Sequence, residues 1–184
     1  MEILLRVAAS LLDSITLSAE GSQSPMTPAK LEFRLVHKES AKLVAGYEAF
    51  LAAGNRPEAY ADVPEEAEFM TVAATGSHRY LVEKAVILDN SAIASTAAGM
   101  EFDPPYRRSG TLSLTMTETG SERFAELTKE NAGRQLAIVV DGRLHVVLTI
   151  VDQIDEAQGI VIGGFSREEA KVLACRINLG KRPK

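Results

Sequence analysis

An Asp141-Gly142 pair stands between two apolar runs, and no other short feature of the chain constrains its fold as strongly. Both central positions of a type I′ turn require a positive φ, which Asp and Gly adopt more readily than most residues. The pair therefore predicts a two-residue hairpin whose strands cover residues 135–140 and 143–151. Strands joined by so short a turn run antiparallel, so an antiparallel sheet is expected.

The segment before this hairpin predicts one more strand and a helix. Residues 111–117 read TLSLTMT, and strict alternation of apolar and polar residues is typical of a half-buried strand. Ser121 is predicted to cap the helix that follows, and Gly133 is predicted to end it.

The segment after the hairpin predicts a short strand at residues 159–162 and then a helix. Gly163-Gly164-Phe165 is expected to be a tight turn, and Ser166 and Glu169 have the spacing of a capping box. The helix is expected to stop at Gly180. Backbone N–H groups at such a turn could instead hold an anion, but the sequence there lacks the Lys-Ser/Thr of a P-loop and the third glycine of a dinucleotide fingerprint.

The first half of the domain carries weaker signals. Residues 30–36, KLEFRLV, alternate like a strand, and residues 40–53 have a helical apolar face that ends before Gly54. Two further strands are expected, near residues 68–75 and 78–88.

Hairpins dominate this order of elements, and βαβ units do not repeat. We therefore predict an α+β fold, a mixed or antiparallel sheet with helices packed on one face and ferredoxin-like tendencies. Residues 89–110 are ambiguous, except that their second half, 101–110, is expected to be a loop because Pro104 and Pro105 cannot join a central sheet. Residues 111–180 are expected to form a compact core that buries Leu112, Leu114, Met116, Phe124, Leu127, Ile138, Val140, Leu173 and Ile177.

Residues 1–25 are predicted to be an amphipathic helix and a flexible linker, followed by an α+β domain at 26–184. Residues 2–15 carry an apolar stripe of helical period. That helix is expected to pack on its own domain or on a partner. A homo-oligomer formed through helix 2–15 is one of the alternatives. No signal peptide is recognised, because Glu2 stands where positive charge is required. No stretch reaches the roughly 18 apolar residues of a membrane helix.

Composition argues against several kinds of site. The chain has 20 basic and 25 acidic residues, a net charge of −5, and no Trp, so no nucleic-acid partner is expected. The single cysteine, Cys175, rules out an internal disulfide and a Cys-cluster zinc site. It is expected to be a buried, inert thiol in the last helix.

The remaining reactive residue types show no catalytic arrangement. No G-x-S-x-G elbow presents a nucleophile, and His145 is expected to face solvent from a strand. The adjacent pairs Glu65-Glu66 and Glu168-Glu169 point their side chains different ways. We therefore predict no catalytic, cofactor-binding or metal-binding residue and no enzymatic activity, and no individual binding residue is assigned.

Several segments, in order, resemble the first extracytoplasmic domain, the head, of the SecD subunit of the bacterial protein translocase. They are residues 30–36, KLEFRLV, then 79–84, RYLVEK, and 159–180, which holds a Gly-rich turn, a Glu-Ala pair and a final helix. Residues 120–143 are similar to the family's helix-Asn-x-Gly-strand pattern and its Asp-Gly-Arg hairpin, through Phe124, Thr128, Asn131, Gly133 and residues 141–143. The resemblance covers roughly residues 26–184.

The resemblance implies a non-enzymatic domain without cofactors that works outside the cytoplasm. Its expected partners are unfolded preprotein or membrane translocase components. The chain departs from the family at residues 146–149, where an apolar strand continues in place of a segment of small residues and proline. The alternative is the same fold reused as an interaction or sensory module with an unrelated partner.

Overall fold

The computed structural model describes residues 26–73, 76, 78–101, 109–154 and 159–181. The predicted helix at residues 2–15 lies outside the described residues, and so do Pro104 and Pro105 of the predicted loop. None of the described helices has an apolar run long enough to cross a membrane.

The described residues form nine strands and three α-helices. In chain order they are β1 (Leu31–Leu35), α1 (Ser40–Ala52), β2 (Ala67–Thr71), β3 (Arg79–Glu83), β4 (Leu88–Asp89), β5 (Ile93–Glu101), β6 (Ser109–Met116), α2 (Glu118–Glu130), β7 (Gln135–Val140), β8 (Arg143–Thr149), β9 (Gly159–Phe165) and α3 (Arg167–Leu179). Single 3-10 turns lie at Pro57–Ala59 and Asn90–Ala92. The predicted α+β class is confirmed.

The strands form three sheets, and all the pairings are antiparallel. The main sheet has the order β4-β1-β7-β8, the second sheet has the order β5-β6-β9, and the hairpin sheet consists of β2 and β3. β1 and β7 lie at the centre of the main sheet, with Leu31 opposite Val140 and Leu35 opposite Leu136. β8 and β9 are therefore edge strands of two different sheets.

The core is built from one face of the main sheet, the second sheet, α2 and α3. All nine residues that the sequence predicts to be buried belong to it. β1 adds Leu31 and Phe33 to the same cluster, and the Phe33 ring packs edge-on against Phe124 with the ring centroids 6.3 Å apart. The core predicted for residues 111–180 is thus completed by a strand from the start of the domain.

The other face of the main sheet carries the hairpin sheet. A smaller apolar cluster joins the two through Val36, Val82, Ala137, Val139 and Leu144. Two ion pairs flank it, with Arg34 Nη1 lying 2.7 Å from Glu68 Oε1 and Arg134 Nη2 lying 2.5 Å from Glu83 Oε1. α1 rests on this hairpin, because the Ser40 hydroxyl accepts a hydrogen bond from Leu81 N at 2.8 Å.

The hairpin turn predicted at Asp141-Gly142 is confirmed. Asp141 has φ 49° and Gly142 has φ 74°, the two positive values that a type I′ turn requires. The turn also anchors the beginning of the domain, because Asp141 N donates to Lys30 O at 2.9 Å and Asp141 Oδ1 accepts from Lys30 N at 2.9 Å.

Several predicted element boundaries are wrong. The strands predicted at residues 68–75, 78–88 and 143–151 end earlier, at Thr71, Glu83 and Thr149. The loop predicted at residues 101–110 is shorter, because β5 includes Glu101 and β6 begins at Ser109.

The start of α2 and the predicted Gly-rich turn also differ from expectation. α2 begins three residues before Ser121, because Thr117 Oγ1 accepts a hydrogen bond from Gly120 N at 3.0 Å and so caps the helix. Gly163 and Gly164 lie within β9 and do not form a turn. The β6–β9 register passes from Gly110 opposite Phe165 to Leu112 opposite Ile162, so the two glycines face Thr111 in a β-bulge. The capping box of Ser166 and Glu169 is confirmed.

Candidate functional site

The side chains that are chemically most suited to catalysis lie together in a cleft between β8 and α3. The cleft has a volume of about 600 Å³, and its lining includes His145, Ser166, Glu169 and Arg176. Ser166 Oγ accepts from Glu169 N at 3.2 Å, and Glu169 Oε2 accepts from Ser166 N at 2.8 Å. Arg176 Nη2 lies 2.9 Å from Asp141 Oδ2. These polar groups hold helix ends and chain segments together, so they do not form a nucleophile–base pair.

His145 does not face solvent as predicted. Its ring is half-buried and lies 5.2 Å from the Phe165 ring, at an angle of 34°. Burial lowers the pKa of His145, a shift that the carboxylates of Glu169 and Asp141 oppose and the Arg143 guanidinium reinforces. Burial therefore favours the neutral form of the imidazole, which packs against Phe165 of β9.

The other candidates lie apart from this cleft. Cys175 is exposed, which corrects the predicted burial. Glu65 and Glu66 are exposed before β2, and Glu168 pairs with Lys171 at 3.1 Å on the outer surface of α3. Within the described ranges, no three His, Cys, Asp or Glu side chains are placed to hold a metal ion.

The open edge of β8 is a stronger candidate for binding. Val146 and Leu148 oppose Ile138 and Leu136 of β7, and alternation in an antiparallel ladder then points the backbone N–H and C=O of Val147 and Thr149 away from β7. An earlier outward position, Leu144 O, accepts from Ala73 N at 2.8 Å. The edge is therefore covered at its start and, among the described strands, has no strand paired to it from Val147 onward.

An apolar groove adjoins this open part of the edge. It has a volume of about 380 Å³ and is lined by Phe124, Thr128, Leu136, Leu148, Thr149, Ile150, Val151, Asp152, Gln153 and Ile154. Three of these side chains are unusually exposed for their size, with Leu148 at 38%, Val151 at 86% and Ile154 at 46%. Apolar side chains grouped beside a free strand edge are typical of a surface that receives another chain.

Buried hydrogen bonds fix the wall of this groove. Thr128 is fully buried in α2, and its hydroxyl donates to Phe124 O at 2.9 Å and accepts from Ile154 N at 3.0 Å. Gly133 N donates to Ile150 O at 2.7 Å. Residues 150–154 are therefore held at one end by the turn that follows α2 and at the other end by α2 itself, while the side chains of Val151 and Ile154 remain exposed.

The sequence patterns do not predict a role in binding for these groove residues. The predicted return strand runs to residue 151, two residues beyond the end of β8 at Thr149, and none of its residues is assigned to the predicted core or to binding. One signal was present, because Val151 and Ile154 are three residues apart beyond the strand end and flank the charged Asp152. Such spacing does not fit the two-residue period of a strand.

The chain is similar in sequence to subunits of the protein translocase. The family model described as "SecDF, P1 head subdomain" matches residues 67–183. Among curated relatives, "Protein translocase subunit SecD" of Leptotrichia buccalis is 38% identical over 98 residues, which are 53% of this chain and 23% of the relative. The subunit of the same name from Rickettsia conorii is 32% identical over 111 residues, which are 60% of this chain and 21% of the relative. The chain spans about a fifth of the length of these relatives.

Solved structures agree with this comparison. "Crystal structure of SecDF in Super-membrane-facing form" superposes with a TM-score of 0.53 at 27% identity, covering 83% of this chain and 19% of the other. "Structure and function of a membrane component SecDF that enhances protein export" gives a TM-score of 0.52 at 29% identity, covering 83% of this chain and 63% of the other. Because the family model matches well over half of the residues, the chain belongs to the SecDF P1 head subdomain family.

Proposed function

We propose that this chain is a non-enzymatic binding domain that takes up unfolded, exported polypeptide outside the cytoplasm, along the open edge of β8 and in the groove beside it. One observation carries the proposal. The backbone groups of Val147 and Thr149 point away from β7, and they lie beside the apolar groove formed by Leu148, Val151 and Ile154. An extended polypeptide supplies backbone hydrogen bonds to the edge and apolar side chains to the groove.

The edge favours an unfolded partner over a folded one. A folded protein keeps most of its backbone N–H and C=O groups paired, whereas an unfolded chain offers them at every residue. Hydrogen bonds between backbone groups do not depend on the identity of the side chains, so binding along β8 tolerates many sequences. A domain that binds diverse exported proteins requires such tolerance. The departure from the family at residues 146–149 lies in this edge, and its apolar residues supply part of the surface.

Similarity to export proteins also supports the proposal that this chain binds exported polypeptide. The relatives are named as subunits of a protein translocase, and one similar structure is described as a membrane component that enhances protein export. A non-enzymatic role fits the engagement of Ser166 and Glu169 in a helix cap and of His145 in packing against Phe165.

The test is titration of the isotope-labelled full chain with a secretory protein held unfolded by a core substitution, and separately with its folded form, followed by NMR shifts. We expect shifts at residues 146–154 with the unfolded form only. Val151→Lys should weaken binding about fivefold or more, because it places a charge where a partly buried apolar contact forms. Val86→Lys is the matched control, because Val86 is also exposed, at 42%. It lies between β3 and β4, and β4 is at the edge of the main sheet opposite to β8.

A second variant tests the backbone part of the interaction. Val147→Pro removes an N–H that points away from β7, and proline is tolerated at such edge positions. It should weaken binding while the chain remains folded by circular dichroism. An equal response to the folded and unfolded forms, or no response to either, would remove the proposal and favour an interaction module with an unrelated partner.

A further inference from the structure

We propose that the groove prefers polypeptide segments in which an apolar residue lies close to a lysine or arginine, with Asp152 as the ionic contact. This inference rests on the proposed function, because it concerns which segments the same groove accepts. Its basis is the distribution of charge around an otherwise apolar surface.

Asp152 occupies a distinctive position. Among the described residues that line the groove, it carries the only ionisable side chain, and its neighbours on the rim are Val151 and Ile154. Its Oδ1 accepts from Gln153 N at 2.8 Å, and its side chain is exposed. No described Lys, Arg or His forms an ion pair with Asp152, so the carboxylate is available to a cation brought by a ligand.

The helix that forms one wall of the groove adds to the negative field. α2 carries four glutamates against two basic residues, namely Glu118, Glu122, Glu126 and Glu130 against Arg123 and Lys129. Arg123 acts electrostatically on Asp89, away from the groove. Phe124 and Thr128 of α2 line the groove. A helix is about 10–12 Å across, which is comparable with the Debye length of roughly 8–10 Å at moderate salt, so the charge on α2 is only partly screened in the groove.

The geometry of an extended chain suits this arrangement. Side chains two positions apart on a strand share a face and lie about 7 Å from each other. A segment that pairs with the edge of β8 and seats an apolar side chain beside Leu148 places its next same-face residue along the groove rim. A lysine or arginine there can reach Asp152 with its flexible side chain, whereas an aspartate or glutamate is repelled.

The effect is modest, because both charges stay in contact with water. Exposed ion pairs contribute about 0.2–1 kcal/mol, which corresponds to about 1.4- to 5-fold in affinity. We therefore expect a graded preference rather than an absolute requirement for a basic residue.

The experiment compares three labelled peptides by fluorescence anisotropy with the full chain. Each has the same apolar, strand-forming centre, and the flanking residues are lysine, glutamine or aspartate. We expect the lysine peptide to bind about two- to fivefold more tightly than the glutamine peptide, and the aspartate peptide to bind most weakly. The differences should shrink between about 50 mM and about 500 mM salt.

Asp152→Asn assigns the preference to this carboxylate. The asparagine oxygen can still accept from Gln153 N, so the local backbone is kept, and affinity for the glutamine peptide should not change. Affinity for the lysine peptide should fall toward that of the glutamine peptide. Asp62→Asn is the matched control, because Asp62 is also exposed but lies in the loop before β2.

The outcomes separate this inference from the proposed function. Equal binding of all three peptides, or an Asp152→Asn variant that keeps the full lysine preference, would overturn the charge selection while the binding function stands. If none of the peptides binds and the unfolded secretory protein also gives no response, both proposals fail.

Discussion

Replacing Gly120 by alanine should destabilise the domain, although alanine is the better helix former. Gly120 lies in the first turn of α2 and is buried against the 3-10 turn at Asn90–Ala92. An alanine Cβ there would stand 2.1 Å from Ala92 O and 2.8 Å from Ala92 C. The carbonyl it would strike also accepts from Thr117 N at 2.9 Å, which ties the start of α2 to that turn.

The magnitude follows from two opposing terms. Alanine gains up to about 1 kcal/mol over glycine within a helix. Relief of the clash requires a backbone shift of roughly 1 Å, and overpacking of this kind typically costs about 1–3 kcal/mol, with larger losses when backbone must move. We expect a net loss of about 2 kcal/mol in the free energy of unfolding, and a fall in Tm of about 4–8 °C.

The matched control is Gly46→Ala in α1. The added Cβ would lie 2.9 Å from the Tyr60 hydroxyl, which is the far end of a side chain and can move aside. The same chemical change should therefore be neutral or raise the free energy of unfolding by up to about 1 kcal/mol. Both variants are measured by urea unfolding. A Gly120→Ala variant as stable as the wild type would refute the close approach of α2 and residues 90–92.

Three further perturbations test other parts of the fold. Leu173→Ala should lower the free energy of unfolding by about 2–5 kcal/mol, because Leu173 is buried in the main core, and a loss below about 0.5 kcal/mol in urea unfolding would contradict that placement. Gly142→Val should lower the urea midpoint, because Gly142 has φ 74° and a β-branched side chain resists positive φ; an unchanged midpoint would exclude the type I′ turn. Because burial lowers the pKa of His145 below its ordinary value of 6.5, the unfolded chain binds the proton more tightly, so the free energy of unfolding should fall as the pH drops below about 6.5. His145→Gln should remove this part of the pH dependence, while the loss below about pH 4.5 from Glu169, whose pKa is held low by its hydrogen bonds to Ser166, should remain.

Local signals in the sequence were sufficient for most of the secondary structure. The Asp141-Gly142 turn, the strands on either side of it and the capping box at Ser166 depend on interactions between residues at most a few positions apart. The nine predicted core residues could be named because strand and helix periodicities decide which face of each element is apolar. The α+β class follows from the same patterns.

Long-range packing decided the features that the sequence analysis missed. Thr117 rather than Ser121 caps α2 because both the N–H and the hydroxyl of Thr117 also bond to Ala92 O, 25 residues away. Gly163 and Gly164 continue β9 because β6 offers a partner strand with room for a bulge. His145 is half-buried because Phe165 comes to lie against it from the second sheet.

The candidate site is also a feature that long-range packing decides. The alternation in residues 143–149 predicts a strand, but only the strand order β4-β1-β7-β8 makes that strand an edge. The exposure of Val151 and Ile154 likewise depends on Thr128, which holds Ile154 N against α2 from 26 residues away. A sequence determines locally which residues are apolar and which backbone turns they allow. Whether an apolar residue ends in a core or in an open groove depends on neighbours that only the tertiary structure brings to it.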